Sequence, residues 1–142
     1  MTFGLLGGVS YLYWDDLQTR WNDNDVYGHM NNVIHYSMMD TLVNMWLIRE
    51  AGFDPRNSPV IGLCVASNCS YKAESAFPDV IRVGLRIGRL GRSSVRYELG
   101  LFKGDTLIAE GEFTHVFVDR ETRRPVEIGS PMRDAMEKLV IA

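Results

Sequence analysis

The chain is short of the residues that build most metal and redox centres. Its 142 residues include only two cysteines, Cys64 and Cys69, and three histidines, His29, His35 and His115. On one strand the two cysteines would lie ~17 Å apart at ~3.3 Å per residue, on opposite faces and beyond disulfide reach. They read as reduced structural thiols, and the protein as cytoplasmic. His35 and His115 have no further ligands nearby at metal spacing. Both read as satisfied structural histidines, and no metal is expected. A Gly-x-Ser-x-Gly elbow, a His-Glu-x-x-His pair and a glycine-rich phosphate loop ending in Lys-Ser/Thr are also missing, which removes the machinery those motifs carry. A formal charge of −3 argues against a general nucleic-acid binder. Met1–Tyr13 is apolar, but it is too short to span a bilayer and lacks a basic n-region. It reads as a leading loop or edge segment, and neither nucleic acid nor membrane is expected as a partner.

What is present is ordinary soluble-domain composition, 46% hydrophobic and 23% charged. The length fits one domain, residues 1–142. Gln18–Trp21 offers a short strand. From Asn32 to about Glu50 the pattern is helical, and only Ser37, Asp40, Thr41 and Asn44 form a polar stripe. A helix so apolar around its circumference is expected to be buried, with Met38, Met39 and Met45 mostly core. Arg49 suits its C-terminal end, and Gly52 is its stop. Val60–Asp119 reads as strands. Ile81, Val83, Leu85 and Ile87 alternate with Arg82, Gly84, Arg86 and Gly88. Gly104-Asp105 fits a tight hairpin turn. Ala109, Gly111, Phe113, His115 and Phe117 should share a face. Ser130-Pro131 opens a C-terminal helix to about Val140. One buried helix followed by consecutive antiparallel strands is an α+β layer arrangement. A sheet face covers such a helix by curling around it.

The densest chemistry lies just before the long helix, from Asp23 to Tyr36. Asp25 stands close to the predicted first turn, where unpaired backbone N–H groups face outward. Such groups stabilise an oxyanion, and a carboxylate beside them can attack a carbonyl or deprotonate water. Gly28 lets the backbone bend between them and come close to a ligand. Asn31 and Asn32 also read as helix caps, and Asp23 as structural.

The motif Asp23-x-Asp25-x-x-Gly28-His29-x-Asn31-Asn32-x-x-x-Tyr36 resembles the signature of hotdog-fold acyl-CoA thioesterases of the 4-hydroxybenzoyl-CoA thioesterase type. It is also similar to a segment of plant acyl-ACP thioesterases. Leu90-Gly91-Arg92-Ser93-Ser94, Ala109-Glu110-Gly111, and Phe117-Val118-Asp119 before Arg124-Pro125 extend the resemblance over about residues 15–135. It implies a hotdog fold, a curved antiparallel sheet wrapped around a long central helix. It implies Asp25 as the catalytic carboxylate, either nucleophile or general base, and the backbone N–H at Asn32 as the oxyanion donor. It implies a homodimer with sites at the subunit interface, often a dimer of dimers (a homotetramer), and no cofactor beyond the coenzyme A of the substrate. In the same reading His29 takes part in the chemistry or positions the turn, and Tyr36 lines the acyl pocket. The arginines around Arg89 and Arg92 either form a solvated strand face or, with Ser93 and Ser94, hold the coenzyme A phosphates through charge-assisted contacts, with Arg120, Arg123 and Arg124 a second set. The expected function is therefore acyl-CoA thioester hydrolysis. A hotdog hydratase or dehydratase, or a non-catalytic acyl-CoA binding module, is the alternative. The acyl group is left open.

Overall fold

A computed structural model describes residues 10–141. Strand β1 (Tyr13–Gln18) runs through a short 3₁₀ turn at Trp21–Asp23 to the long helix α1 (Asn32–Glu50). Four strands follow, β2 (Val60–Tyr71), β3 (Val80–Leu90), β4 (Ser94–Lys103) and β5 (Thr106–Asp119), and then the short helix α2 (Met132–Glu137). The five strands form one sheet in the order β1-β3-β4-β5-β2, with every neighbour antiparallel. This is the expected α+β layering, one long helix against one face of a sheet. Among the described residues no helix is long and apolar enough to cross a membrane.

Alternation fixes which face meets the helix. Ile81, Val83, Leu85 and Ile87 on β3 and Val95, Tyr97, Leu99 and Leu101 on β4 are buried. Against them α1 sets Met38, Met39, Leu42, Val43, Trp46 and Leu47. The opposite face is covered in part by Tyr11, which lies over Gly84 and Gly100. A Cβ at either glycine would come within 2.7 or 2.6 Å of Tyr11, so both positions are bare because the ring occupies the space. The Arg86 guanidinium stands 4.5 Å from the Tyr11 ring centroid and bonds Glu98 at 2.9 Å. Burial pushes the Tyr11 hydroxyl up to about 12.

The long elements have the expected bounds, and several details differ. The first strand lies at Tyr13–Gln18, earlier than Gln18–Trp21, because the backbone of Tyr13 to Gln18 is the part that pairs with β3. Residues 1–9 of the apolar leader lie outside the described residues. Helix α2 stops at Glu137 instead of Val140, since the chain beyond it turns to bond β3: Ile87 N–H donates to the Leu139 carbonyl and Ile141 N–H to the Ile87 carbonyl. Pro131 occupies the cap position itself, and the Ser130 hydroxyl bonds Asp134. Helix α1 is not buried all round, for Val33 is 66% exposed and Ile48 48%. Met45 is half-buried, while Met38 and Met39 are core.

The cysteine geometry is also corrected. In β2 the register slips between Cys64 and Ala66, so that Cys64 pairs with His115, Ser67 with Phe113 and Cys69 with Gly111. The residue inserted at Val65 converts an odd separation into an even one. Both thiols therefore lie on the helix-facing side. They are free.

Candidate active site

The segment before α1 is folded by its own polar side chains. Asp23 accepts from the Arg20 backbone at 2.8 Å and from the Arg20 guanidinium at 2.7 Å. Burial pushes the Asp23 carboxyl up, but these bonds outweigh it and hold the group below the usual carboxylate range. The Asp23 carbonyl then receives the Asn31 N–H at 2.8 Å, which brings the two ends of the loop together. Between them Asp25 closes a tight turn. Its N–H donates to the His29 carbonyl at 2.8 Å, and its Oδ1 accepts from the N–H of Tyr27 at 2.8 Å and of His29 at 3.3 Å. Gly28 makes the turn possible, with φ +83° and open space where a side chain would be. Asp25 Oδ1 is thus spent on the loop, and Oδ2 lies outside those bonds.

Asn31 caps α1, its side chain accepting from Val33 N–H at 3.0 Å. Ile34 N–H donates to the Asn31 carbonyl at 2.8 Å. Both bonds leave out the N–H of Asn32, the first helical residue, at the positive end of a helix 19 residues long. So Asn31 is the cap, and the backbone of Asn32 keeps its donor for another partner.

Asp25, His29 and Asn32 line one cleft of about 410 Å³ together with Tyr27, Met30, His35 and Tyr71 to Ser75. The far wall comes from the β2–β3 connection, tied to the loop by Met30 N–H donating to the Ser75 carbonyl at 2.6 Å. Glu74 Oε2 stands 3.1 Å from His29 Nε2. The Tyr71 hydroxyl donates to the Asn32 carbonyl at 3.1 Å, and its ring meets His35 edge-on at 4.8 Å. Sequence reading missed Glu74 and Tyr71. Neither sits in a motif, and only the fold brings the end of β2 against the start of α1.

Of the remaining candidates, Tyr36 lies one turn into α1 and stacks on Phe113 at 5.9 Å, beyond the cleft lining. Arg89, Arg92, Ser93 and Ser94 form the β3–β4 hairpin at the other end of the sheet. There the Ser93 carbonyl accepts from Phe117 N–H and the Arg92 carbonyl from Ile128 N–H. The cleft adjoins the Tyr71–Ala109 end of β2 and β5, whereas Ser94 pairs with Val116 near the other end of β5, so within one chain these four residues do not meet Asp25. Arg120 is engaged elsewhere, donating to the Ser58 and Pro55 carbonyls.

Satisfaction of the two buried histidines is incomplete: among the described residues Nδ1 of His115 is buried without a hydrogen-bond partner, and Nδ1 of His35 has only the backbone of Asn31 and Asn32 to oppose its burial. Burial lowers the pKa of both. Asn32 and Asn31 backbone contacts oppose this at His35, and the Asp40 charge opposes it at His115.

Comparison with known proteins gives this geometry a family. A search of curated protein sequences found no match. Among solved structures, the PA5185 protein of Pseudomonas aeruginosa is similar at 49% identity over 93% of this chain and 94% of that one, with a TM-score of 0.89. A 1,4-dihydroxy-2-naphthoyl-CoA thioesterase from Synechocystis shares the fold at 17% identity, covering 89% and 96% of the two chains, TM-score 0.82. The BH1999 gentisyl-coenzyme A thioesterase does so at 23% identity, covering 87% and 99%, TM-score 0.78. The fold is that of the hotdog thioesterases. Residues 19–136, most of the chain, match the Thioesterase-like superfamily. The protein belongs to that superfamily, with thioester hydrolysis as its class of reaction.

Proposed function

We propose that the protein hydrolyses acyl-coenzyme A thioesters to a carboxylic acid and free coenzyme A, with Asp25 as the essential carboxylate. The observation that carries this reading is the shared cleft of Asp25 and the α1 N-terminus, with Asp25 Oδ2 and the Asn32 N–H both left out of the local hydrogen bonds. A thioester carbonyl oxygen at the Asn32 N–H faces a helix end worth ~0.5 of a positive charge. As the carbon becomes tetrahedral, negative charge gathers on that oxygen, and one well-placed donor contributes ~10²–10³ in rate. Asp25 acts in one of two ways. As nucleophile, Oδ2 bonds to the carbonyl carbon, the C–S bond breaks, coenzyme A leaves as thiolate, and water then opens the mixed anhydride. As general base, Oδ2 takes a proton from water while the water oxygen bonds to the carbon, and the same C–S bond breaks. The leaving thiolate needs little help from an acid. His29, held by Glu74, borders the space where water enters and orients it.

The assembly follows from β2. This edge strand is 12 residues long and mostly exposed, including Leu63 at 37% and Val65 at 59%. A long apolar edge invites another strand. Antiparallel pairing of β2 with β2 of a second copy would reverse the ends of the partner's sheet. The partner's Arg89–Ser94 hairpin would then lie at the same end as this copy's Asp25 cleft, where its arginines can meet coenzyme A phosphates. A homodimer is thus the functional unit, and it is the unit from which a dimer of dimers would be built.

Thiol release from a panel of acyl-CoAs tests the reaction. Turnover by the wild type and its loss in Asp25→Asn are expected, and a variant with full activity overturns the assignment. Water addition to an enoyl-CoA without thiol release would replace it with a hydratase. A sedimentation measurement tests the assembly. Val65→Lys should shift the dimer toward monomer, and a wild type that is monomeric at micromolar concentration refutes the pairing.

A further inference from the structure

Asp25 and the Asn32 N–H do not account for the whole cleft. His35 lines it as well, although the residue is only 4% exposed. Most other polar side chains around the cavity have partners. The Tyr71 hydroxyl bonds the Asn32 carbonyl, His29 meets Glu74, Lys72 stands 3.8 Å from Glu110, and the Ser75 hydroxyl bonds Asp79. His35 makes no side-chain hydrogen bond among the described residues. Its Nδ1 is fully enclosed, with only the backbone of Asn32 and Asn31 against it. The edge of the ring that borders the cavity is therefore the one carrying Nε2.

Packing alone does not ask for an imidazole here. The ring meets Tyr71 edge-on at 4.8 Å, and phenylalanine would make the same contact without burying two nitrogens. Buried polar atoms left unpaired are destabilising, and native proteins hold few of them. Burial favours the neutral ring, and the backbone of Asn32 and Asn31 favours a proton on Nδ1. Nε2 then offers a lone pair to the cavity, and what it can bind is a hydrogen-bond donor. The Asn32 N–H offers the reverse, a donor for a carbonyl oxygen. The spacing of the two is set by the helix. His35 lies three residues after Asn32 on the same side of α1, and ~4.5 Å further along its axis at ~1.5 Å per residue. Helical side chains lean back toward the N-terminus, which carries the ring toward the Asn32 N–H. An acyl group with its carbonyl at that N–H brings a hydroxyl to His35 when the two are a few bonds apart. A hydroxyl on the β carbon, three bonds from the carbonyl carbon, meets this condition. One at the end of a long chain, or para on a benzoyl ring, passes it by.

We propose that His35 is a specificity residue whose Nε2 accepts a hydrogen bond from a hydroxyl on the β carbon of the acyl group. The proposal rests on the thioesterase reading and names the substrate class for the same cleft: β-hydroxyacyl thioesters. The hydroxyl can sit on an aliphatic chain or ortho on an aromatic ring, since both place it equally far from the carbonyl. An acyl group without it leaves Nε2 covered and unpaired, which is how a site built to bind a hydroxyl rejects the analogue lacking one.

The test reads kcat/KM by thiol release for 3-hydroxyoctanoyl-CoA against octanoyl-CoA, and for 2-hydroxybenzoyl-CoA against benzoyl-CoA. A further arm, 4-hydroxybenzoyl-CoA, carries its hydroxyl out of reach. The wild type should favour the β-hydroxy member of at least one pair by about tenfold or more, and which pair responds separates chain from ring. His35→Phe should bring that ratio toward one while hydrolysis of the unsubstituted member stays within a few-fold of wild type. The hydroxyl's own effect on thioester reactivity is common to both proteins, so the change in ratio reports the contact. His35→Gln, which keeps an acceptor oxygen near the position of Nε2, should retain part of the preference. If His35→Phe does not fold, the wild-type ratios and His35→Gln decide. Wild-type ratios near one in both pairs, with hydrolysis proceeding, overturn the proposal and leave the hydrolase reading standing. So does a His35→Phe variant that keeps the wild-type ratio, or one that slows every thioester equally, the para isomer included, since that would assign the ring to the scaffold. No thiol release from any thioester overturns the hydrolase reading, and the proposal with it.

Discussion

Replacing Asp25 by asparagine separates the two jobs that its carboxylate does. Oδ1 accepts from the N–H groups of Tyr27 and His29 and so closes the turn that opens onto α1. An asparagine carbonyl oxygen can keep both bonds. What changes there is that hydrogen bonds to a charged acceptor become neutral ones, roughly half as strong. Asp25 is only half-buried, so the loss is ~1 kcal/mol, or ~3 °C in melting temperature for a chain of this size. The other oxygen is replaced by an NH₂ group that neither attacks a carbonyl nor takes a proton. General-base assistance contributes ~10²–10⁴ in rate, which at ~1.4 kcal/mol per tenfold is ~3–5 kcal/mol of barrier. Asp25→Asn should therefore lose at least ~10² in kcat, keep KM within a few-fold, and melt within a few degrees of the wild type. Thiol release and a thermal melt on the same preparation read both quantities. A variant with more than about a tenth of wild-type kcat would refute a chemical role. A melting point lowered by ten degrees or more would refute the division of labour between the two oxygens.

Further predictions follow from individual contacts. His29→Ala should lower kcat/KM by ~10–100-fold with little change in stability, because its side chain is 47% exposed and its backbone N–H still reaches Asp25; Glu74→Gln should give part of that loss, and unchanged kinetics in both would remove the pair from the mechanism. Gly84→Ala places a Cβ 2.7 Å from the Tyr11 ring, an overpacking that costs ~1–3 kcal/mol, and Tyr11→Ala in the same chain should recover part of it; additive losses in the double variant would contradict the contact. Stability should also depend on pH through His35 and His115, whose folded pKa values burial lowers. Below about pH 6.5 the unfolded chain binds those protons first, so stability falls as the pH drops from that value toward the folded pKa, by at most ~1.4 kcal/mol per pH unit for each histidine, and the melting temperature falls with it. His115→Gln should flatten that fall, and a profile identical to the wild type would exclude His115 as its source.

How far the sequence carried the structure depended on whether a residue's role was local. The bounds of α1 were readable because Asn31 caps it through its own side chain and Gly52, at φ +72°, ends it. The β4–β5 hairpin was readable from Gly104, at φ +58°, and the inward face of β5 from simple alternation. Asp25 and Gly28 were legible for the same reason, their turn being closed within five residues. Non-local facts were not. Glu74 enters the cleft only because the end of β2 is carried against the start of α1. The faces of Cys64 and Cys69 were inverted by one inserted residue at Val65, which no composition rule flags. The histidines were placed correctly in the core, but whether a buried imidazole finds a partner depends on neighbours from other strands.

One apparent error of the sequence reading is better understood as information about assembly. The pattern of α1 asks for burial almost all round, yet Val33 is left exposed. Val33 lies one turn before Tyr36 on the same edge of the helix, and Tyr36 stacks on Phe113. That edge borders β2, which is itself apolar and exposed at Leu63 and Val65. Exposed apolar positions thus occur both on the helix and on the edge strand. Such a surface is a liability in a lone chain and an asset in a paired one. A partner that buries Val33 would lie beside Asn32 and the Asp25 cleft. Burial and assembly then become one requirement on the sequence, and this supports placing the reaction at a subunit boundary instead of within a single copy.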